Sequence, residues 1–96
     1  MGQIQIKGQR KGLSVHNFGD KEYHRLYNTI IVYRDGDKVT LGTDGWKTNH
    51  TKNCMNDFLR RFGFKVFQKD FKWYVKGQSG TVRFYDDKVS FTLGVL

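Results

Sequence analysis

The chain of 96 residues contains no proline, one cysteine and only nine acidic residues. The single thiol, Cys54, excludes a disulfide within the chain, so the fold must hold without cross-links, as in a reducing compartment. No apolar run approaches the roughly 18 residues of a membrane span, and residues 1–6 lack the apolar segment of a signal peptide. We therefore expect a cytoplasmic protein that does not enter a membrane.

Acidic residues are outnumbered by seventeen lysines and arginines, which gives a net charge of +8. Such an excess favours an anionic partner, either nucleic acid or the acidic surface of another protein. The alternative, that the charge only keeps the protein in solution, remains open. Aromatic residues make up 16% of the chain, and they bury enough area for a short chain to form a core. One domain over residues 1–96 is therefore expected.

The hydrophobic pattern predicts eight short strands, separated by glycine and aspartate turns. Asp35-Gly36 lies between two β-branched runs and predicts a hairpin with a type I′ turn. Residues 19–27 fit a helical turn or an irregular loop equally well. In the strand at 71–76, alternation predicts that Phe71, Trp73 and Val75 face the core. The predicted strands are 3–7, 13–18, 28–34, 39–41, 64–68, 71–76, 81–85 and 88–93.

One helix is predicted over residues 50–62, because Met55, Phe58, Leu59 and Phe62 recur at helical spacing. Thr48, Asn49 or Thr51 can cap its first turn, and Gly63 suits the left-handed residue that ends a helix. The expected fold class is α+β: a mainly antiparallel β-sheet of about six to eight short strands, with this helix packed on it.

No constellation of residues points to catalysis or to a metal. His50 and Cys54 lie four residues apart at the start of the helix, but zinc needs three or four ligands. Six aspartates fall in predicted turns, where aspartate is favoured because it bonds its own backbone: Asp35, Asp37, Asp44, Asp70, Asp86 and Asp87. No glycine-rich phosphate loop is present. We predict no catalytic residues, no metal, no cofactor and no enzymatic activity.

Basic residues are concentrated between Lys47 and Lys76, where eight of them face two acids. Basic side chains interleaved with aromatic rings suit single-stranded nucleic acid, because cations meet phosphates and rings stack on bases. Lysines on a sheet can also serve only to prevent edge pairing, which is the alternative. The residues predicted to bind nucleic acid or an acidic partner are Lys47, Lys52, Arg60, Arg61, Lys65, Lys72, Tyr74, Lys76 and Arg83.

Four short segments between residues 28 and 76 together resemble small uncharacterised proteins encoded by tailed bacteriophages. The resemblance implies a bacterial host cytoplasm and a small accessory viral protein, and it implies no particular activity. Position 54 departs from it, since Cys54 stands where a basic residue is expected. The segments are Asn28-Thr29-Ile30-Ile31, Gly45-Trp46-Lys47-Thr48, Thr51-Lys52-Asn53-Cys54-Met55-Asn56 and Gln68-Lys69-Asp70-Phe71-Lys72-Trp73.

Charge and resemblance together favour a small basic phage protein that binds nucleic acid through a Lys/Arg/Tyr surface. The first alternative is an inhibitor or adaptor that docks on an acidic host protein, for host takeover or against host defence. A structural or virion accessory protein is the second alternative. The sequence is compatible with a monomer and with a homodimer.

Overall fold

The computed structural model describes residues 4–7 and 10–94. Residue 3 of the first predicted strand lies outside this part of the chain. The helix α1 is followed directly by a 3₁₀ turn at Arg60–Phe62. In chain order the elements are β1 (Ile4–Lys7), β2 (Leu13–Phe18), β3 (Lys21–Leu26), β4 (Thr29–Asp35), β5 (Lys38–Gly42), α1 (Asn49–Leu59), β6 (Lys65–Lys69), β7 (Lys72–Lys76), β8 (Thr81–Arg83) and β9 (Lys88–Thr92).

The strands form two antiparallel sheets. The larger has six strands in the order β1-β2-β3-β4-β5-β9, and the smaller has three in the order β6-β7-β8. The helix contacts β4 of the larger sheet and β6 of the smaller one. The predicted α+β class, mainly antiparallel with one helix, is therefore confirmed. Among the described residues no helix is long and apolar enough to cross a membrane.

Strand β3 is the element that the hydrophobic pattern leaves undecided. It occupies residues that fitted a helical turn or a loop, and it pairs with both β2 and β4. Its buried positions alternate as a strand requires, but two of the three are polar: Glu22, His24 and Leu26. Since a hydrophobicity pattern counts only apolar residues, buried polar residues hide the period of two.

The helix begins and ends as its flanking residues predict. Thr48 is extended, and its hydroxyl accepts the backbone N–H of Thr51 at 3.2 Å, which satisfies one of the free donors of the first turn. Gly63 closes the 3₁₀ turn at φ 78°, a left-handed conformation that glycine adopts without strain. The apolar stripe faces inward, with Met55, Phe58 and Leu59 fully buried.

The helix is covered on both sides by apolar residues of the two sheets, and together these make one core. Val66, Trp73 and Val75 of the smaller sheet pack into it. From the larger sheet and the helix come Leu13, Leu26, Ile31, Val32, Val39, Leu41, Val89, Phe91, Cys54, Met55, Phe58 and Leu59.

Phe71 is a wrong prediction, because its side chain is 90% exposed rather than buried. The register pairs Lys69 with Lys72, so the turn between β6 and β7 consists of Asp70 and Phe71. The turn was expected one residue earlier, and this shift removes Phe71 from the strand. The turn type at Asp35-Gly36 also differs, because Gly36 has positive φ and Asp37 does not, which is the pattern of type II′.

The last predicted hairpin is divided between the two sheets. Strand β8 pairs with β7, whereas β9 pairs with β5, and only the bridge between Tyr85 and Lys88 joins them directly. The intervening Asp86 and Asp87 both have positive φ, so the chain does reverse where the sequence predicts. The reversal therefore carries the chain from one sheet to the other.

Candidate nucleic-acid interface

The three-stranded sheet has one apolar face and one charged face. Side chains alternate along each strand, so that Val66, Trp73 and Val75 point to the core. The opposite face carries basic and aromatic side chains from all three strands. We call it the cationic face, and its members are Lys65, Phe67, Lys69, Lys72, Tyr74, Lys76 and Arg83.

Two stacked rings lie at the centre of the cationic face. Phe67 and Tyr74 are direct cross-strand partners, their centroids are 5.3 Å apart and their planes differ by 19°. Both rings are half-buried, so each keeps part of its surface open to solvent. On the next strand Arg83 is paired with Tyr74, and its guanidinium lies 5.3 Å from the centroid of the Tyr85 ring. The face therefore offers aromatic surface surrounded by cations.

The lysines of the cationic face lie opposite one another rather than opposite acids. In the register of β6 and β7, Lys65 faces Lys76, and Lys69 faces Lys72. Like charges directly opposite destabilise an antiparallel pair. Within the described residues none of these lysines forms a salt bridge, and neither does Arg83. The sheet therefore holds this charge at a cost in stability that an anionic ligand would relieve.

Protection of a sheet edge does not account for two of these lysines. Lys72 and Lys76 lie on β7, the central strand, where there is no free edge to protect. The edge of β6 is covered in another way, because the Asn56 amide bonds both the N–H and the carbonyl of Val66, at 2.7 and 3.2 Å. The placement of charge on the central strand favours a binding role.

Four residues predicted for the binding surface lie outside the three-stranded sheet, and each has an intramolecular partner. Lys47 Nζ lies 3.1 Å from an Asp87 carboxylate oxygen, and Arg60 Nη2 lies 3.7 Å from Asp57. Lys52 Nζ lies 5.7 Å from the centroid of the Trp73 ring. The structure thus brings together Lys65, Lys72, Tyr74, Lys76 and Arg83, but not these three or Arg61.

Arg61 is held by a buried carboxylate. Its two terminal nitrogens donate to Glu22 at 2.8 and 2.9 Å, and His24 Nε2 lies 2.7 Å from the same carboxylate. Burial alone would raise the pKa of Glu22, but the hydrogen bonds with His24 and Arg61 outweigh it and lower that pKa to about 2. This network ties the end of the helix to β3, so Arg61 has a structural role.

Cys54 is fully buried in the core, and burial raises the pKa of its thiol to about 11. The thiol therefore stays protonated at neutral pH, which makes it a poor nucleophile and a poor metal ligand. His50 is engaged elsewhere, since its Nε2 lies 2.7 Å from the Lys11 carbonyl. Over the described ranges 4–7 and 10–94, no three His, Cys, Asp or Glu residues cluster as metal ligands do.

Two members of the cationic face, and Phe71 in the adjoining turn, were not predicted as site residues. Lys69 and Phe67 follow Lys65 at intervals of two, so strict alternation along β6 would have found both. Phe71 lies in the turn beside Lys72, and only the register reveals that it is exposed.

Comparison with known proteins identifies a family to which the chain is similar. The sequence model of the family described as Kyanoviridae Gp96 protein matches residues 7–92. These are cyanophages, a group of tailed phages, so the predicted resemblance to small tailed-phage proteins is confirmed. No curated protein and no solved structure matches the chain.

Proposed function

The chain belongs to the Kyanoviridae Gp96 protein family, and we propose that it binds single-stranded nucleic acid through its cationic face. The observation that carries the proposal is the stacked pair Phe67–Tyr74 at the centre of a face with five cations that form no salt bridge within the described part of the chain. Lysines and Arg83 would contact phosphates, and each accessible ring would stack on a base. Stacking of this kind contributes about 1–3 kcal/mol per base.

Single strands are favoured over duplexes because of the rings. In a duplex the faces of the bases are occupied by neighbouring bases, so an aromatic side chain on a sheet cannot reach them. The face also lacks a helix or a projecting ribbon of polar side chains that would read a groove. We therefore expect little sequence preference and a strong dependence on salt.

The experiment is fluorescence anisotropy with labelled 12-nucleotide single strands of DNA and RNA, from 50 to 300 mM KCl. Each phosphate neutralised on a single strand contributes about −0.7 to the slope of log K against log salt. Five cations that each contact one phosphate would therefore give a slope of about −3.5. A duplex of the same length should bind more weakly.

A matched pair of variants distinguishes binding through the cationic face from an effect of the net charge of the whole protein. Lys72→Gln with Lys76→Gln removes two charges from the cationic face and should reduce the magnitude of the slope by about 1.4. Lys21→Gln with Lys38→Gln removes the same charge from exposed positions on the larger sheet and should leave the slope nearly unchanged.

Two results would contradict the proposal. One is the absence of binding to any strand at 50 mM KCl, and the other is an equal loss of affinity in both double variants. If the first result is accompanied by retention of an acidic protein from a nuclease-treated cyanobacterial lysate, lost in the face variant only, the inhibitor or adaptor role replaces this proposal.

A further inference from the structure

A pocket of about 420 Å³ lies between the β3–β4 turn and the start of α1, apart from the three-stranded sheet. Its volume falls within the range of roughly 300–1,000 Å³ that is usual for small-ligand sites. Leu26 and Ile31 supply buried apolar surface, and Tyr27 and Trp46 supply aromatic surface. Of the described residues, none with a charged side chain lines this pocket.

The two aromatic side chains are unusually exposed for their size, Tyr27 at 58% and Trp46 at 64%. Both are nevertheless fixed at the backbone. The Trp46 N–H donates to the Thr43 carbonyl at 2.8 Å across a turn at Asp44 and Gly45, which both have positive φ. The rings are therefore presented to solvent by ordered turns.

Tyr27 is held in a strained conformation. Its φ is 54°, a left-handed value that bulky residues rarely adopt. Its N–H donates to the Gly12 carbonyl at 2.8 Å, and its ring lies so close to Gly12 that a Cβ there would be 2.5 Å from ring atoms. Position 12 must therefore be glycine for the ring to stay in place. Strain of this kind persists where the surrounding structure enforces it, often at binding sites.

Neutral polar groups complete the pocket. The Lys11 carbonyl accepts from His50 Nε2 at 2.7 Å, so Nε2 carries a proton, and in the tautomer protonated only there Nδ1 is an acceptor. Asn28 adds an amide whose Oδ1 accepts from Arg25 Nη2 at 3.5 Å, which leaves the two amide N–H donors for a ligand. Apolar surface, exposed rings and uncharged hydrogen-bonding groups match the chemistry of a flat heterocycle with polar edges.

We propose that this pocket binds an uncharged nucleobase ring, stacked against Trp46 or Tyr27 and hydrogen-bonded at its edge by Asn28 and His50. The ring could come from a free nucleoside or from a nucleotide within a strand, since both present the same planar chemistry. The site is separate from the cationic face, so the proposal does not depend on the proposed function.

The test is a titration of the ¹⁵N-labelled protein with adenosine, guanosine, cytidine and uridine, one at a time, followed by NMR. Nucleosides carry no phosphate, so the lysines and Arg83 of the cationic face contribute little to their binding, and shifts at the pocket are followed separately from shifts at Phe67 and Tyr74. At least one should cause saturable shifts of the Trp46 indole N–H, while that of the buried Trp73 serves as an internal reference. Trp46→Ala should weaken binding at least about 5-fold, in line with the stacking energy of a base.

Tyr33→Ala is the matched control, because Tyr33 is an exposed ring of the larger sheet, at 39%, that does not line the pocket. It should leave nucleoside affinity unchanged. If Trp46→Ala also weakens the binding of a 12-nucleotide strand, the ring belongs to a strand; if strand binding is unchanged, it belongs to a free nucleoside-like ligand. The proposal is overturned if no nucleoside produces saturable shifts at the pocket, or if both variants lose affinity equally.

Discussion

Replacement of Phe71 by glycine should make the protein more stable and its nucleic-acid binding weaker. Asp70 and Phe71 form the two-residue turn between β6 and β7, at φ 53° and 65°. Positive φ at both positions is the type I′ pattern, for which Asp-Gly is among the preferred pairs. Because the phenyl ring is 90% exposed, its removal sacrifices almost no packing.

The expected gain follows from two opposing terms. A residue with a Cβ in the left-handed region costs about 1–2 kcal/mol, and glycine relieves this. Glycine also makes the unfolded chain more flexible, which offsets roughly 0.5–1 kcal/mol of this stabilisation. The free energy of unfolding should therefore rise by about 0.5–1 kcal/mol. With an m value of about 1–2 kcal/mol/M, the urea midpoint should increase by roughly 0.5 M.

Phe71→Ala is the control, since it removes the ring but keeps a Cβ at positive φ. Its midpoint should not rise, whereas both variants should bind a single strand at least about 5-fold more weakly if the ring stacks on a base. The strain reasoning is refuted if the glycine variant is no more stable than the alanine variant. Unchanged affinity in both variants would show that Phe71 lies outside the binding surface.

Three further predictions concern the rest of the molecule. Gly12→Ala should lower the free energy of unfolding by about 2 kcal/mol or more, measured by thermal unfolding, because its φ is 79° and the new Cβ would meet the Tyr27 ring. Thr43→Val should raise the free energy of unfolding by about 1 kcal/mol, measured by urea unfolding, since the buried Thr43 hydroxyl has no hydrogen-bond partner in the described structure. A lower free energy of unfolding in this variant would refute the reasoning. The pKa of Glu22 is lowered to about 2 from 4.5, so its stabilisation of about 3 kcal/mol is complete above pH 4.5 and is lost as pH falls through 2. The wild type should therefore have a lower urea midpoint at pH 2.5 than at pH 5. In Glu22→Gln, the difference between the midpoints at the two pH values should be smaller.

Local patterns in the sequence predict the helix and most strands because their buried positions are apolar. Met55, Phe58 and Leu59 reveal the helix, and Thr48 and Gly63 mark its limits. Strand β3 is not visible in this way, since two of its three buried side chains are charged or polar, and the carboxylate of Glu22 depends in part on a residue far away in sequence. Glu22 reaches Arg61, thirty-nine positions along the chain.

The candidate interface is predictable in composition but not in arrangement. An excess of basic residues between Lys47 and Lys76 is visible in the sequence, and alternation assigns Lys72, Tyr74 and Lys76 to one face. The cross-strand register is set by the turn between β6 and β7, which lies one residue later than the sequence predicts. This position of the turn places Lys69 opposite Lys72. Which cations are engaged by acids also depends on long-range contacts, as for Lys47 with Asp87.

The placement of the acids separates structural cations from available ones. Asp57 lies 2.8 Å from Arg10, and Glu22 engages Arg61 and lies 3.4 Å from Arg34, so that the acids of the helix and the larger sheet neutralise cations near them. None of the described acids neutralises the three-stranded sheet in the same way. A basic protein that needed charge only for solubility would gain stability from spreading its cations, because like charges repel. Lysines without salt bridges are instead concentrated on both sides of one cross-strand register, around two stacked rings, and this opposes stability. The proposed ligand, an anion with stacking surfaces, would explain that arrangement.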